Sequence, residues 1–397
     1  MNFLQHAFEY SLFSVGISRP NPAVGAVVVR DGIIVGRGRT QRPGEAHAEV
    51  MALRDAGENA RGAAIYVTLE PCCHYGRTPP CTKAIIEAGI RSVYFAHADP
   101  NPLVRGKSRR ILEEAGIEVF EGLEACEKAV AEAFWNDSPC ASGCQVLSAG
   151  DAVENDGKVV FREIERFFEA YDYFVRNKAT FVEIKSAISQ DGFMGASTGG
   201  KHAPLQITGQ GANCWNHELR AMSDALLVGA GTLLSDNPSL DVRLAQGNNP
   251  VKILWAGHHV FTPEELSYLY FSRPLQPSER IVYSCIGQPH IQGIETVLLT
   301  GETFAENWKT MLADLSQRGM HRLMVEPGAT LAKEIFSAGL WNRLDLWQST
   351  DSSVDARLES MGVEGLAYPE VPNNVVAKES YMLGHDILTV YETASKV

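Results

Sequence analysis

The sequence predicts a two-domain α/β protein, and three observations lead to this fold class. At 397 residues the chain is long for one domain and comfortable for two. Short apolar runs typical of buried strands alternate with segments of helical periodicity. Between the two halves lies a stretch rich in Ser, Gly, Asp and Asn, residues 136–157, which has the composition of a linker.

The overall composition is that of an ordinary soluble globular protein with a net charge of −13. Neither half carries the strong positive charge that binding to a phosphate backbone requires, although residues 105–110 form a local basic patch. The eight cysteines lack short regular spacings, and His6 and Glu9 interrupt the apolar N-terminal run, so no secretory signal is expected. No stretch is long and apolar enough to cross a bilayer. These features predict a cytoplasmic protein in a reducing compartment.

The elements of the first domain follow from apolar periodicity and from turn residues. An apolar face at helical spacing predicts a helix over residues 3–15, and Asp31-Gly32 predicts a tight hairpin between two strands. The further elements expected in this half are a helix after His47, strand 64–69, strand 92–96, helix 106–115, strand 117–120 and a helix over 126–135.

Two segments, GEAHAEVMALRDAG and LEPCCHYGRTPPCTKAIIEAG, carry side chains suited to zinc. His47, Cys72 and Cys81 offer one imidazole and two thiolates, three of the four ligands of a tetrahedral zinc, and leave a position for water. Glu49 is placed to be the non-ligand carboxylate that moves protons to and from that water, as in the H-x-E and P-C pattern of zinc deaminases. Both segments are expected to begin helices, where unpaired N–H groups favour negative charge. The pattern predicts a catalytic zinc site.

Other interpretations of these residues remain open. Adjacent Cys72 and Cys73 point in different directions; we choose Cys72 because it follows a proline, as Cys81 does, and keep Cys73 and His74 as reserve candidates. Either of them as a fourth protein ligand would make a closed, structural zinc site. A further alternative is a nucleic-acid or free-base deaminase with an unrelated second half, and the lack of basic charge disfavours its nucleic-acid form.

The segments PNPAVGAVVV, GEAHAEV, YVTLEPCCHYGRTPPC and ADPNPLVRGK resemble the deaminase half of bacterial bifunctional riboflavin-biosynthesis enzymes (diaminohydroxyphosphoribosylaminopyrimidine deaminase/reductase). The resemblance covers about residues 3–124. It implies a cytidine-deaminase-like three-layer fold, with Zn²⁺ held by His47, Cys72 and Cys81 and with Glu49 as the proton shuttle. It also implies a substrate site lined by Asn21, His74, Arg77 and Asn101, although Asn101, between two prolines, also suits a structural turn.

Residues 125–178 are longer than the segment with which this family usually connects its domains, and we expect them to be a helical and linker insertion. An amphipathic helix is predicted over 163–176, with a cluster of aromatic residues on or near one face. Such a cluster is more often packing than a binding site. The expected domains are therefore 1–124, 125–178 and 179–397.

From residue 179 onward, FVEIK, SQDG, ITG, ELR and DALLVGAGTLLSDNPSL resemble the reductase half of the same enzymes, whose fold is similar to dihydrofolate reductase. An apolar strand running into Gly-Ala-Gly-Thr suits a dinucleotide, because glycines let the backbone approach phosphate. A lone G-x-G after a strand is usually an ordinary turn. The resemblance implies NADPH binding by Thr208, Gly229, Gly231, Thr232 and Asp236, and substrate binding by Lys185, Arg220, Arg243 and Glu326. For the two arginines, a solvated surface position is the alternative.

The second half departs from the family pattern at three places. The stretch between Gly200 and Ile207 is longer than expected, Pro327-Gly328 replaces a Gly-Gly pair, and Gln348–Asp351 stands where a glycine-rich segment is expected. Proline removes one N–H group that would bind phosphate and fixes φ. Because each change falls where cofactor or substrate should be held, weaker binding of NADPH is expected.

The sequence thus predicts a cytoplasmic enzyme of riboflavin synthesis that deaminates 2,5-diamino-6-ribosylamino-4(3H)-pyrimidinone 5′-phosphate and then reduces the ribosyl group to ribityl with NADPH. Its expected partner is this small pyrimidine ribose phosphate, with neither nucleic acid nor membrane. The family is often oligomeric, so a homo-oligomer is expected. The alternative is a deaminase whose second domain has lost reduction and serves as a binding or assembly module.

Overall fold

The computed structural model describes residues 2–129, 156–198, 201–203, 206–273, 279–355 and 364–393. The chain divides into two compact units. The first contains the described residues within 1–143, 151–179 and 246–248, and the second those within 180–245 and 249–397. Most of the linker predicted over 136–157 lies outside the described residues, so its structure stays a prediction.

The first unit is a five-stranded sheet with helices on both faces. Its strands are β1 (Gly25–Arg30), β2 (Ile33–Arg39), β3 (Ala64–Leu69), β4 (Ser92–His97) and β5 (Glu118–Glu121). Its helices are α1 (Phe3–Ser11), α2 (Ala48–Ala56), α3 (Cys81–Glu87), α4 (Lys107–Glu114), α5 (Gly122–Lys128) and α6 (Asp156–Asn177). The strand order is β2-β1-β3-β4-β5; β1 runs antiparallel to β2 and β3, and β3, β4 and β5 are parallel.

Two glycines of β2 determine how closely the first helix of the zinc motif approaches the sheet. A Cβ at Gly36 would lie 2.3 Å from the carbonyl oxygen of Ala52, and one at Gly38 would lie 2.0 Å from that of Ala48. Helix α2 therefore packs directly on the backbone of β2, which no larger residue would permit. This contact fixes the N-terminus of α2, where His47 is the N-cap residue.

The layers of the first unit agree with the predicted three-layer arrangement. Helices α2, α3 and α4 contact one another in sequence on one side of the sheet, and α1, α5 and α6 group together on the other. The predicted hairpin is present, with Asp31 and Gly32 both at positive φ (51° and 75°). Both halves of the zinc motif begin helices, with His47 as the N-cap residue of α2 and Pro80 as that of α3.

The second unit is built on a nine-stranded sheet. Its strands, including those of a separate three-stranded sheet, are β6 (Phe181–Ile188), β7 (Phe193–Thr198), β8 (Lys201–Ala203), β9 (Ala225–Gly229), β10 (Val251–Gly257), β11 (Arg280–Ser284), β12 (Glu295–Leu298), β13 (Arg322–Glu326), β14 (Arg343–Ser349), β15 (Glu364–Ala367), β16 (Val375–Leu383) and β17 (Asp386–Thr393). Its helices are α7 (Gln210–Ala221), α8 (Ala230–Asp236), α9 (Pro263–Tyr268), α10 (Phe304–Gln317) and α11 (Ala329–Ala338).

The large sheet has the order β12-β11-β10-β9-β13-β6-β14-β17-β16. The first seven strands in this order, from β12 through β14, are parallel to one another. The hairpin β16–β17 adds two antiparallel strands at the β14 edge. The central strands are buried on both faces, as expected for a parallel sheet covered by helices. Ligands of such open sheets bind at the carboxyl ends of the strands. Strands β15, β7 and β8 form the small separate sheet.

Three helix boundaries differ from the sequence-based expectation. The helix predicted over 3–15 ends at Ser11 and is followed by a 3-10 turn over Leu12–Ser14. The helix predicted over 126–135 begins earlier, at Gly122, and its described part ends at Lys128. The helix predicted over 163–176 begins seven residues earlier, at Asp156. Among the residues that the structure describes, no helix combines the length and the apolar character that spanning a bilayer would require.

Candidate functional site

The three side chains predicted to bind zinc lie together in the first unit. The Nδ1 atom of His47 is 3.5 Å from the Sγ atom of Cys72 and 3.3 Å from that of Cys81. All three ligand atoms fall within 4.8 Å of one another. Such separations suit ligands about 2.0–2.3 Å from a common ion. One imidazole and two thiols, drawn from a helix N-cap, a strand end and a second helix start, therefore fit a zinc ion.

The local electrostatics favour a thiolate at this position. The main-chain N–H of Cys81, at the start of α3, donates to the Sγ atom of Cys72 at 3.3 Å. Hydrogen bonds from the Cys81 side chain and from His47 lower the pKa of the Cys72 thiol to about 4. Because the thiolate is the form that binds metal, Cys72 is prepared for coordination at neutral pH.

Glu49 lies one residue inside α2 and is only 4% exposed. Burial, reinforced by the charge of Cys72, raises the pKa of its carboxyl to about 7. A carboxyl with a pKa near neutrality suits proton transfer in both directions. Its position two residues after His47 places it beside the cluster, and it is not one of the three residues that share the candidate metal position.

The two reserve ligand candidates occupy other environments. The Sγ atom of Cys73 lies 3.6 Å from the carbonyl oxygen of Leu103. The Nδ1 atom of His74 is buried and has no hydrogen-bond partner. Neither joins the three-residue cluster, which is the geometry expected of a site that keeps a position for water.

Thr78 contacts the zinc-ligand candidate His47, and the sequence did not indicate this contact. Its hydroxyl lies 3.3 Å from the Nε2 atom of His47, on the ring nitrogen that faces away from the two thiols. A hydrogen bond at the outer nitrogen of a ligating histidine fixes the ring orientation and leaves the other nitrogen for the metal. Thr78 lies in the loop GRTPPC, where no local pattern distinguishes it from the residues that only form the turn.

For three predicted substrate residues of this unit, Asn21, Arg77 and Asn101, the geometry does not by itself indicate substrate binding. Asn21 is half-buried and Arg77 is exposed. The Asn101 side chain accepts a hydrogen bond from the main-chain N–H of Leu103 at 3.1 Å, the arrangement of an Asx turn. Asn101 therefore has a structural contact, and direct binding of substrate by these three residues stays a prediction.

A second carboxylate, Glu70, organises the loop that carries Asn101. It is 3% exposed and accepts hydrogen bonds from the Gly106 N–H at 2.9 Å, the Ser108 hydroxyl at 2.5 Å and the Asp99 N–H at 3.3 Å. Glu70 is two residues before Cys72. The segment leading to this zinc ligand is therefore tied to the loop after β4.

The second unit contains a cavity of about 600 Å³ at the carboxyl ends of its central strands. Seven of the nine residues predicted to bind cofactor or substrate in this half line it: Lys185, Thr208, Gly229, Gly231, Thr232, Asp236 and Glu326. Strand β9 ends at Gly229 and passes directly into α8. The Gly-Ala-Gly-Thr segment is thus both a strand end and a helix start, which suits phosphate.

Helix α11 gives the cavity a second helix N-terminus. Pro327 and Gly328 line the cavity, and Gly328 is the N-cap residue of α11. A Cβ at Gly328 would lie 3.0 Å from the Thr232 hydroxyl, so these two cavity-lining segments meet closely here. Pro327 lies before the helix, and the first N–H groups of α11 remain available to an anion.

Arg220 and Arg243 are absent from the cavity lining that the structure describes. Arg220 is 6% exposed and forms a two-pronged ion pair with Glu326, at 2.8 and 2.9 Å. Burial alone would raise the pKa of Glu326, but the Arg220 guanidinium outweighs it and lowers this pKa to about 2. Arg220 thus holds Glu326 ionised at the cavity. Arg243 is half-exposed and pairs with Asp241 at 2.6 Å. Phosphate binding by either arginine stays a prediction.

Asp386 is a further contact that sequence reasoning missed. It begins β17 and accepts a hydrogen bond from the Gly209 N–H at 2.7 Å. Gly209 is the N-cap residue of α7, next to the cavity-lining Thr208. The C-terminal hairpin therefore holds one edge of the cavity, through two residues 177 positions apart in sequence.

Two family models match the chain. Residues 2–97 match the cytidine and deoxycytidylate deaminase zinc-binding region, and residues 180–349 match the RibD C-terminal domain. Together with the His/Cys/Cys cluster and the glycine-lined cavity, these matches define a zinc deaminase joined to a reductase.

Curated relatives match the chain over most of both sequences. The chain is 31% identical to the riboflavin biosynthesis protein RibD of Aquifex aeolicus over 98% of both chains, and 32% identical to that of Escherichia coli over 82% of this chain and 81% of the relative. A crystal structure of a diaminohydroxyphosphoribosylaminopyrimidine deaminase/5-amino-6-(5-phosphoribosylamino)uracil reductase from Thermotoga maritima is similar with a TM-score of 0.67 and 28% identity, over 98% of this chain and 97% of that chain. The chain belongs to the RibD family of bifunctional deaminase/reductases of riboflavin biosynthesis.

The comparisons confirm the predicted fold class, a cytidine-deaminase-like domain followed by a dihydrofolate-reductase-like domain. They also confirm zinc as a cofactor, and the RibD reductase domain implies NADPH as the second.

Proposed function

We propose that this chain deaminates 2,5-diamino-6-ribosylamino-4(3H)-pyrimidinone 5′-phosphate hydrolytically and then reduces the ribosyl group of the product to ribityl with NADPH. The observation that carries the proposal is the His47–Cys72–Cys81 cluster with the buried Glu49 at the start of the same helix. A hydrolytic deamination consumes one water, breaks the bond between ring carbon and amino nitrogen, and releases ammonia.

In the first reaction we assign proton transfer to the Glu49 carboxylate. A zinc ion held by His47, Cys72 and Cys81 would acidify a water molecule and so supply a nucleophile at neutral pH. Glu49 accepts the proton that water releases and passes it to the departing amino group, so that the carboxylate is regenerated. His74 is assigned to the substrate, because its buried and unpartnered Nδ1 atom suits a polar group of the pyrimidine. Asn21, Arg77 and Asn101 remain assigned to the rim of the site.

In the second reaction we assign the phosphates of NADPH to the two helix starts that face the cavity, at Gly229–Thr232 and at Gly328. NADPH supplies the hydride. Lys185 and the ionised Glu326 face the same space and are assigned to the substrate. Burial lowers the pKa of Lys185, so its ammonium is poorly solvated and favours a polar or anionic partner.

The expected weakness of NADPH binding rests on Pro327 and on the missing glycine-rich segment. A hydrogen bond to a charged group contributes about 1.5–3 kcal/mol, so losing one weakens affinity roughly tenfold to a hundredfold, and losing two weakens it roughly a hundredfold to ten-thousandfold. We expect weaker NADPH binding than in a dedicated reductase and reduction slower than deamination. Titration of NADPH by fluorescence or calorimetry measures this. Tight binding with rapid substrate-dependent oxidation would contradict the expected loss, and no binding at all would favour the deaminase-only alternative.

We propose domains at 1–124 and 179–397 joined by the segment 125–178. We expect limited proteolysis to cut first within 136–157, because segments of linker composition, rich in Ser and Gly, are preferred cleavage sites. Mass spectrometry of the fragments, with zinc analysis, measures the position and the retained metal. The N-terminal fragment should still contain zinc, whereas a first cut inside 20–120 would place the boundary elsewhere.

We also propose that the protein is a cytoplasmic homo-oligomer, as its family resemblance and cysteine usage suggest. Light scattering coupled to gel filtration tests the oligomeric state. A monomer at micromolar concentration would contradict it.

A further inference from the structure

Helix α6 lies in a part of the chain that neither family model covers, since their matches end at residue 97 and resume at residue 180. It nevertheless packs on the deaminase sheet. Phe167 contacts Phe8 of α1 edge-on, with ring centroids 5.4 Å apart. Phe168 stacks on the ring of His97 at 5.1 Å, with an angle of 11° between the planes. The aromatic cluster of α6 therefore packs within the first unit, and one of the rings that it contacts is the polar imidazole of His97.

His97 ends β4, and its side chain is 9% exposed. Its Nδ1 atom pairs with Glu165, and its Nε2 atom lies 2.9 Å from Asp172. Glu165 and Asp172 are seven residues apart, so they share one face of α6 two turns apart. With a carboxylate at each ring nitrogen, both nitrogens donate, which defines an imidazolium.

The main chain of His97 connects this contact to the zinc site. Its carbonyl oxygen accepts a hydrogen bond from the Glu70 N–H at 2.8 Å. Glu70 precedes Cys72 by two residues, and its carboxylate holds Gly106 and Ser108 beyond the loop after β4. The end of β4 therefore contacts helix α6, the segment that leads to the zinc ligand Cys72, and the loop that carries Asn101.

We infer that α6 contributes to deamination. Glu165 and Asp172 of α6 hold the His97 side chain, and through His97 they act as positioning residues for the Glu70–Cys72 segment and for the loop after β4. This inference rests on the proposed deaminase function. It gives a role to part of the 125–178 segment, for which the sequence indicates only packing. None of the three side chains is assigned to substrate or metal.

Because His97 is charged, its contact with α6 should make the stability of the protein depend on pH, which packing of uncharged groups would not do. Burial lowers its pKa, but the hydrogen bonds with Asp172 and Glu165 outweigh it and raise the pKa from 6.5 to about 9. The charged groups that face the ring are the carboxylates of Glu165, Asp172 and Asp99. A raised pKa stabilises the folded state fully below about pH 6.5, and this stabilisation is lost as the pH rises through about 9.

The test compares Asp172→Asn, which removes the charge and keeps the shape, with Glu114→Gln, which removes an exposed ion pair on α4. We expect kcat/KM for ammonia release to fall about ten- to a hundredfold in Asp172→Asn, because displacement of a reacting group by about 1 Å costs that much. Zinc content and NADPH oxidation should remain unchanged. Glu114→Gln should match the unchanged protein. If Asp172→Asn does not fold, the milder Glu165→Gln, at a side chain 43% exposed, replaces it.

Two further measurements separate positioning from stability. In a double-mutant cycle, Asp172→Asn should cost no further activity once His97→Phe is present. The difference in Tm between the unchanged protein and His97→Gln should shrink as the pH rises from about 6.5 toward 9 and beyond.

Three outcomes would overturn the inference. A lowered Tm with unaltered kcat/KM would make α6 structural only. A Tm difference that does not change with pH would mean that His97 is not a charged partner of α6. Absence of ammonia release from the unchanged protein would overturn the proposed function first, and the inference with it.

Discussion

Glu49→Gln is expected to abolish ammonia release while leaving the zinc content unchanged. The glutamine amide has nearly the same shape as the carboxylate but cannot accept the proton released by water. Because positioned acid–base groups contribute about a hundred- to ten-thousandfold, kcat for deamination should fall by at least this range. Assays of ammonia release and elemental analysis of zinc measure the two quantities on the same sample.

The matched control for this variant is Glu45→Gln, an exposed carboxylate two residues before His47. It should retain both zinc and ammonia release. NADPH oxidation, which belongs to the other unit, should be the same in both variants. Near-normal ammonia release from Glu49→Gln would show that the assigned proton shuttle is wrong.

Cys81→Ser is expected to lose zinc and ammonia release together. Cys81 is fully buried, and its Sγ atom lies 3.3 Å from the Nδ1 atom of His47. A serine hydroxyl does not ionise at neutral pH and is a poor zinc ligand, so only two ligands would remain. Zinc content should fall to background, and added zinc should not restore activity.

Two other cysteines serve as controls for Cys81→Ser. Cys126→Ser changes a fully buried thiol of α5, and Cys73→Ser changes the thiol that faces the carbonyl oxygen of Leu103. Both should keep their zinc. Loss of zinc from Cys73→Ser would instead indicate a closed structural site with Cys73 as the fourth ligand.

The zinc cluster was predictable because each half of it belongs to a short sequence motif that can be recognised locally. His47 and Glu49 sit at the start of one helix, Cys72 follows the end of a strand, and Cys81 begins a second helix. Strand ends and helix starts are where α/β sheets place their sites, so local elements were sufficient to bring these residues together. For Gly229–Thr232 at the end of β9 the local pattern was weak, and it was the family resemblance that assigned these cavity-lining residues to the cofactor.

Contacts between distant segments left no such pattern. His97 meets Glu165 and Asp172 across 68 and 75 residues, and an isolated charged residue on a helix face gives no sign of its partner. Arg220 has the charge to bind phosphate, but the sequence does not reveal that Glu326 occupies two of its nitrogens. Charge type can be predicted locally, whereas pairing is a property of the folded chain.

The early start of α6 was missed for a related reason. Gly157 has low helix propensity and suggests an element boundary. In the structure a Cβ at this position would lie 2.7 Å from the Cα atom of Glu127, so α6 passes closely over α5 and only glycine fits. Tertiary packing there overrides local propensity.

The most direct test of the two-reaction account uses the intact protein with the pyrimidine ribose phosphate and follows ammonia release and NADPH oxidation separately. We expect zinc-dependent ammonia release without NADPH, followed by slower NADPH oxidation that requires the deaminated product. Chelation of zinc should stop the first reaction, while the second should persist when the deaminated product is supplied. Failure of the zinc-loaded protein to release ammonia from this substrate would show that His47, Cys72, Cys81 and Glu49 do not form a deaminase site for it.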